Sequence, residues 1–176
     1  MVKKRYSILI LVCIILFIAS NCISEPLTPR LCKEKVIAAA KLLQSKGDAA
    51  LDEIKNPDGE FRFADGKAGY VWIHNLDGIM VMHPTKPSLD GKGLFGLKDS
   101  KGRYYFVAFN EMVEENGAGW VPYEWPKPGE EKASAKVSYV MLVTKGEKSY
   151  VVGSGMYDVT EKDIAAKFPG DPVHEY

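Results

Sequence analysis

Apolar residues cluster in two short runs, 69–74 and 79–83, that predict the two strands of a β-hairpin. Between them, residues 75–78 read Asn-Leu-Asp-Gly. The Asp-Gly step readily adopts the backbone angles of a tight turn between antiparallel strands. The second run ends at Pro84 and Pro87, and proline stops a strand because it has no N–H group to donate to the ladder.

Helical spacing of apolar residues occurs in two longer segments. Residues from about Pro29 to Ile54 carry apolar side chains three or four positions apart, and Gly47 marks a break or a bend in this helix. A second helix is predicted over Tyr104 to Asn116, where Gly-Ala-Gly at 117–119 ends it. Residues 163–168 predict a short C-terminal helix.

Three further strands are predicted in the second half of the chain. They cover residues 119–125, 136–144 and 150–156, and Gly146 marks the turn between the last two. Together with the hairpin they make a five-stranded antiparallel sheet. A long N-terminal helix packed on such a sheet, with helical inserts, is a PAS-like α+β architecture.

Strand alternation assigns side chains to the faces of this sheet. Trp72 shares a face of its strand with His74, and Tyr123 shares a face with Trp125. One face must meet the long helix, and the sequence alone leaves open which. Trp72 and Trp125 are therefore core residues by default. The more specific alternative is that these two side chains line a ligand cavity.

Residues 1–24 have the three-part layout of a secretory signal. Three basic residues at 3–5 precede an apolar run at 8–19, and Ser-Asn follows. The apolar run is shorter than the roughly 20 residues that a transmembrane helix needs. Export to the periplasm or the extracellular space is therefore expected, with one domain over 25–176. Cys22 follows Ala-Ser-Asn, which is similar to the lipobox of bacterial lipoproteins. The alternatives are a lipid anchor at Cys22, cleavage after Ser24, and a retained signal anchor.

Charge and cysteine content exclude several classes of function. The chain has 23 basic and 23 acidic residues, and removal of 1–24 leaves 20 basic residues against 23 acidic ones. This mild acidity argues against nucleic acid as a partner. Outside the signal's apolar run lie Cys22 and Cys32, which pair as a disulfide only if Cys22 carries no lipid. The sequence has no CxxC motif and no Cys/His cluster, so it indicates neither zinc nor covalent haem, and no cofactor is predicted.

The sequence contains no motif that is typical of an enzyme active site. Ser154 lies between two glycines, but the G-x-S-x-G spacing and the strand-turn-helix elbow of a nucleophile are missing. The three histidines form no convincing triad or metal site. The glycine-rich residues 90–93 lack the full phosphate-loop pattern. The sequence therefore predicts a protein that binds rather than an enzyme.

Seven short motifs occur in one colinear order along the chain. They are Gly69-Tyr70-x-Trp72-Ile73, Met82-His83-Pro84-x-Lys86-Pro87, Asp90-Gly91-Lys92, Gly96-Leu97-Lys98-Asp99, Trp125-Pro126-Lys127-Pro128-Gly129, Lys136-x-Ser138-Tyr139-Val140 and Gly153-Ser154-Gly155-Met156-Tyr157. This order resembles the single Cache domain of type 2, an extracytoplasmic sensing module of chemoreceptors and sensor kinases. The resemblance implies a PAS-like sheet whose concave face, closed by the inserts between its second and third strands, holds a short organic acid such as acetate, propionate, lactate or pyruvate. The sequence has no second apolar span before Tyr176, so it resembles the stand-alone, secreted members without an output domain.

The candidate ligand contacts are cations, one histidine and aromatic residues near the ends of the predicted strands. They are His83, Lys86, Tyr104, Tyr123, Trp125, Lys127, Lys136 and Tyr139. Aromatic walls exclude water, and each fixed cation then interacts more strongly with a small organic anion. Each residue also has a structural alternative, as a strand cap, a solvated lysine or a core aromatic. Lys136 and Tyr139 point to opposite faces of a regular strand, so both can touch one ligand only near a bulge or a strand end.

Two functions from different classes follow. The first is a sensor-type module that captures a small organic anion outside the cytoplasm and presents it to a separate membrane receptor or transporter. The second is an envelope-associated module that keeps the same fold and uses its surface to contact a partner protein. Contact with the membrane is expected only through the signal or a lipid anchor.

Overall fold

The computed structural model of the protein describes residues 25–64 and 68–176. The predicted signal and Cys22 lie outside these residues, so export and lipidation stay predictions. Cys32 is buried in the first helix. Its candidate disulfide partner, Cys22, is outside the described residues, so the disulfide also stays a prediction. Within this part, no helix is both long enough and apolar enough to cross a bilayer.

The long N-terminal helix forms as predicted, with a break at Gly47. α1 spans Pro29–Lys46; the side chain of Thr28 accepts the N–H of Leu31 at 3.1 Å and caps its first turn. Gly47 has φ 60°, a conformation that favours glycine, and it ends α1. A 3₁₀ turn over Gly47–Ala50 then leads into α2, Leu51–Lys55.

A five-stranded antiparallel sheet follows, preceded by a small ladder that the sequence pattern does not predict. The small ladder pairs β1 (Arg62–Phe63) with β2 (Gly69–Tyr70). The main sheet contains β3 (Trp72–Asn75), β4 (Met80–Met82), β5 (Ala118–Pro126), β6 (Ala133–Lys145) and β7 (Lys148–Tyr157). The spatial order is β4-β3-β7-β6-β5, so β6 and β7 are interior strands and β5 is an edge.

The two remaining helices lie on either side of β5 to β7 in the sequence. α3, Tyr105–Asn116, begins one residue after the predicted start and ends at Gly117, which has φ 75°. α4, Glu161–Lys167, begins two residues before the predicted start because Thr160 and Asp163 form a capping box. Beyond α4, the backbone of residues 172–174 hydrogen-bonds to Trp120 and covers part of the β5 edge.

The two faces of the main sheet pack against different layers. α1 covers one face, where Val71, Ile73 and Trp120 belong to its apolar core. α3 and the insert between β4 and α3 cover the other face, where Trp72 belongs to a second core and Trp125 packs against it. Both of these tryptophans therefore lie on the face away from α1, which the sequence left open.

Candidate ligand-binding site

A small cavity lies between the sheet and the N-terminal half of α3. Its walls are Tyr70, Trp72, His83, Tyr105, Phe106, Phe109, Tyr123 and Trp125. The free volume between these side chains is about 10 Å³, room for about one water molecule, so any larger ligand requires the walls to move. All of the wall residues except Trp125 are buried.

A larger groove of about 510 Å³ lies at the other end of the sheet, near the β3–β4 and β6–β7 turns. Three carboxylates, those of Asp48, Asp77 and Glu147, line this groove beside a single lysine, Lys148. Lys148 is already paired with Asp48. The groove is therefore unsuited to an organic anion, and the smaller aromatic cavity is the better candidate.

Lys136 brings a buried positive charge to the aromatic cavity. In the ladders of β6 it lies opposite Tyr123 on one side and Tyr157 on the other. Its side chain is buried, with 1% of the residue exposed, and Nζ donates to Tyr70 Oη at 2.8 Å. Nζ also lies 4.5 Å from the centre of the Tyr70 ring and 5.4 Å from that of Trp72. Lys136 forms no ion pair with a carboxylate of the described residues.

Burial of an ammonium group in this position costs free energy. Removal of a charge from water costs several kcal/mol unless a counter-charge and hydrogen bonds replace the lost solvation. The faces of aromatic rings and two phenol oxygens, those of Tyr70 and Tyr157, compensate only in part. An anion beside Nζ would supply the counter-charge that these groups do not.

His83 supplies a neutral hydrogen-bond donor beside this charge. Burial, followed by the charges of Lys136, Lys86 and Arg62, lowers the pKa of His83 to about 3, so the ring is neutral at physiological pH. Its Nδ1 accepts the backbone N–H of Lys86 at 3.0 Å. The proton of the neutral ring is therefore on Nε2.

Trp72 presents a second unpaired donor. The residue is 2% exposed, and its indole Nε1 is buried without an acceptor in the described part of the chain. The ring lies directly over Gly153, where a Cβ atom would come within 2.3 Å of it. Glycine at 153 thus allows the indole to lie against the sheet, and the cavity keeps its volume.

Tyr70 provides the internal acceptor for Lys136. Burial raises the pKa of the Tyr70 phenol, but the charge and the hydrogen bond of Lys136 lower it more, so the pKa lies below its ordinary value. Tyr123 is held differently, because its hydroxyl bonds to Ser138 Oγ at 3.0 Å. Hydroxyl groups that are fixed in this way form a rigid polar edge on an otherwise apolar cavity.

The structure brings together five of the eight residues that the sequence predicts for the site. His83, Tyr123 and Trp125 line the cavity, and Lys136 Nζ lies 5.9 Å from the centre of the Tyr123 ring in its wall. Lys86 lies at the rim, with Nζ 4.2 Å from the centre of the Trp125 ring. Since no ligand contact is observed, their roles stay predictions.

The other three residues lie elsewhere. Tyr139 is on the opposite face of the sheet, where it packs against Trp120 in the core under α1. Lys127 pairs with Asp158 at 2.7 Å on the surface. Tyr104 is 45% exposed and precedes α3 rather than closing the cavity. We leave these three residues out of the site that we propose.

The ligand contacts predicted from the sequence omit several residues of the site. Alternation along the strand places Tyr70 on the same face as Trp72, and this pattern indicated Tyr70. Tyr105 and Phe109 are four residues apart and lie on one face of a helix, which indicated these two residues. Tyr157 gave no such signal. It reaches Lys136, with 3.5 Å between Nζ and its Oη, only because the end of β7 lies beside the start of β6.

Stability is expected to fall as the pH drops below about 6.5, the usual pKa of histidine in an unfolded chain. His83 has a pKa of about 3, and burial lowers that of His74 to about 4, although its hydrogen bond to Asn110 opposes this shift. Since both folded values lie below the unfolded value, the unfolded state binds more protons below pH 6.5. The stability contribution is thus present above pH 6.5 and lost as the pH falls, by about 1.4 kcal/mol per pH unit for each histidine.

Urea unfolding at pH 5, 6, 7 and 8 measures this dependence. The acidic residues whose pKa is lowered affect the free energy of unfolding only below pH 5, outside this range. His74→Gln, which cannot titrate, is expected to remove about half of the slope. Equal free energies of unfolding at pH 5 and pH 7 would contradict the prediction.

Comparisons with known proteins agree with this geometry. Residues 37–167 match the family described as the Cache domain. A solved structure of a Cache chemosensory domain, described in terms of carboxylic acid recognition, is 32% identical and superposes with a TM-score of 0.63, over 74% of this chain and 92% of that one.

Two curated relatives are sensory proteins. The methyl-accepting chemotaxis protein McpP of Pseudomonas putida is 40% identical over 102 residues, which cover 56% of this chain and 17% of that protein. The sensor histidine kinase MctS of Rhizobium johnstonii is 31% identical over 103 residues, which cover 57% of this chain and 22% of that protein. The chain therefore spans about a fifth of the length of these relatives. Because the family match extends over well more than half of its residues, the chain belongs to the Cache domain family.

Proposed function

We propose that this Cache domain binds a small monocarboxylate of two to four carbons, such as acetate, propionate, lactate or pyruvate, outside the cytoplasm. The observation that carries the proposal is the buried Lys136. It has no carboxylate partner among the described residues, and its Nζ lies over the rings of Tyr70, Trp72 and Tyr123, which line the aromatic cavity. The expected export rests on the signal-like residues 1–24.

The charge of the site favours an anion. Among the residues that line the cavity, none is Asp or Glu. An amine or an amino acid would bring an ammonium group with no acidic partner to the neighbourhood of Lys136. A carboxylate instead supplies the missing counter-charge in a region where water is largely excluded, so the interaction is strong.

The donors of the site match the acceptors of a carboxylate. Its two oxygens offer about four lone-pair positions. His83 and Trp72 line the cavity, and Lys136 Nζ lies over rings of its wall, so three donors surround it. Trp72 Nε1 is buried without an acceptor in the described part of the protein. Binding would satisfy buried donors that otherwise reduce stability.

The size of the site favours few ligand atoms. The free volume of about 10 Å³ is far below the 300–1,000 Å³ typical of drug-sized ligands, so even a small ligand fits only when the aromatic walls move apart. Apart from the donors, aromatic rings surround it, so a short alkyl tail would contact an apolar wall. The proposed ligand therefore combines one carboxylate with one to three further carbons. The solved Cache chemosensory domain described in terms of carboxylic acid recognition supports the same chemical class.

Thermal denaturation in the presence of a ligand panel tests this function. Acetate, propionate, lactate and pyruvate are expected to raise the melting temperature, whereas ethylamine, glycine and glucose are not. Binding at a hundredfold excess over Kd stabilises the folded state by about 2.7 kcal/mol. That corresponds to a rise of roughly 5–10 °C for a domain of this size.

Two outcomes would contradict the proposal. Stabilisation by an amine or a neutral sugar, and by none of the monocarboxylates, would show a different ligand class. No stabilisation across the panel, together with a protein partner recovered from envelope extracts, would favour a module that keeps the Cache fold for protein contact.

A further inference from the structure

The aromatic cavity is nearly sealed, which raises the question of how a ligand enters it. Tyr70, Trp72, Tyr123 and His83 are each at most 4% exposed. A ligand cannot pass between such side chains unless part of the wall moves. The inference below rests on the proposed function and concerns the entry route to the same cavity.

Trp125 is the exception among the wall residues. It is half-buried, and it lies on the edge strand β5, one residue before the strand ends. Its ring contacts Tyr105 edge-on at 5.7 Å and lies 6.4 Å from the ring of His83. One side of the indole therefore faces the cavity, and part of the side chain reaches solvent.

Lys86 covers the Trp125 indole. Its Nζ lies 4.2 Å from the ring centre, which is within the range of a cation–π interaction. Lys86 is itself half-buried, and it lies in the insert, three residues beyond His83. The pair thus joins the insert to the edge strand across the one half-buried part of the cavity wall.

The backbone on which Trp125 sits is held in place. In the sheet Trp125 pairs with Ser134 of β6. On the open side of β5, Asp99 accepts the backbone N–H of the neighbouring Glu124 at 3.2 Å. Asp99 is in turn paired with Arg103 at 2.6 Å. Because the strand is fixed on both sides, an opening at this place occurs by rotation of the indole.

We propose that Trp125 and Lys86 form the gate of the cavity, and that a carboxylate enters when Lys86 leaves the indole and the indole rotates. In this arrangement Lys86 controls passage and is not a direct ligand contact. Its interaction with Trp125 is present in the closed state with or without a ligand and is lost in the open state. Removal of the interaction therefore accelerates entry and exit together, and the affinity changes little.

Stopped-flow fluorescence with propionate as the probe tests the gate. Lys86→Ala is expected to raise both the association and the dissociation rate constants about three- to tenfold, as expected for a lost cation–π pair. Lys86→Arg retains a cation over the ring and is expected to behave like the wild type. Measurements in about 0.5 M salt, where the Debye length is roughly 4 Å, suppress the attraction of Lys86 for the incoming anion.

Lys98→Ala is the matched control. Lys98 lies on the same insert, and its Nζ is 4.6 Å from the ring centre of the exposed Tyr104. This substitution removes a cation–π pair of the same kind away from the cavity. It is expected to leave both rate constants within about twofold of the wild type, since an exposed pair contributes little.

Acrylamide quenching of tryptophan fluorescence in the ligand-free protein is a second readout. Lys86→Ala is expected to increase quenching, because Trp125 and then Trp72 become accessible more often. A Lys86→Ala variant with tenfold weaker affinity and an unchanged association rate would overturn the proposal and make Lys86 a ligand contact. Rate constants equal to those of the wild type would also overturn it.

Failure of the proposed function is distinguishable from failure of the gate. If the wild type binds no monocarboxylate in the panel, the proposed function fails, and quenching alone decides on the gate. Greater quenching in Lys86→Ala than in Lys98→Ala then supports the gate, and equal quenching overturns it.

Discussion

Replacement of Lys136 by methionine is expected to abolish monocarboxylate binding and to leave the fold at least as stable. The methionine side chain keeps the length and the apolar stem of lysine. A bound carboxylate would lose its buried counter-charge, which costs about 2–5 kcal/mol of binding free energy. The folded protein would lose an ammonium group that has no carboxylate partner in the described residues, and such a replacement is often neutral or stabilising.

Calorimetric titration with acetate or propionate measures the first effect, and urea unfolding measures the second. Lys145→Met is the matched control, because Lys145 lies on the same strand, β6, and is exposed. Its affinity is expected to equal that of the wild type. Unchanged affinity in Lys136→Met would remove this lysine from the site and move the assignment to His83. A large loss of stability would show that Lys136 holds the fold together through its contacts with Tyr70 and Tyr157.

Trp72→Ala is expected to give a large loss of folding stability, about 3–5 kcal/mol. The indole is almost fully buried, its ring centre lies 5.6 Å from that of Phe109, and it rests on Gly153. Truncation removes this packing and leaves a cavity that the rigid sheet cannot fill. The sequence alone made Trp72 a core residue by default, with lining of a cavity as the alternative. The structure places the indole in the wall of the cavity, so we expect ligand affinity to fall as well.

Trp72→Phe separates the two roles of this residue. Phenylalanine keeps an aromatic ring on Gly153 and lacks the Nε1 donor. Stability is expected to fall less than in Trp72→Ala, and affinity to fall by about 1 kcal/mol, the net value of one hydrogen bond. Urea unfolding and ligand titration of both variants provide the comparison. A stability loss below about 1 kcal/mol in Trp72→Ala would contradict the placement of this ring in the core.

Much of the fold followed from local chemistry that can be read in the sequence. The helix break at Gly47 and the end of α3 at Gly117 rest on glycines at positive φ. The strands β5, β6 and β7 match the predicted segments to within a few residues, because alternation and turn residues determine them locally. The β1–β2 ladder was missed because two residues on each strand are too few to show any period.

The candidate site was predictable only in part. The motif order correctly indicated the Cache family, and the concentration of aromatic residues and cations indicated the region of the cavity. The signal over residues 1–24 and the ligand roles of the named side chains remain predictions. Which cations reach the cavity was not predictable, because Lys127 and Lys136 both lie near strand ends and differ only in what packs around them.

The period of apolar residues by itself specified which side chains share a sheet face, since alternation is a property of the extended backbone. Tertiary structure decided which face meets α1 and how deeply each residue is buried. Lys136 shows the difference most clearly. As a residue near a strand end, it was expected to keep its amino group near water. In the fold, β6 is an interior strand, and Tyr123 on β5 and Tyr157 on β7 flank Lys136 on both sides. Burial depends on neighbours that are distant in sequence, and for this reason the charge at the centre of the proposed site appears only when the chain is folded.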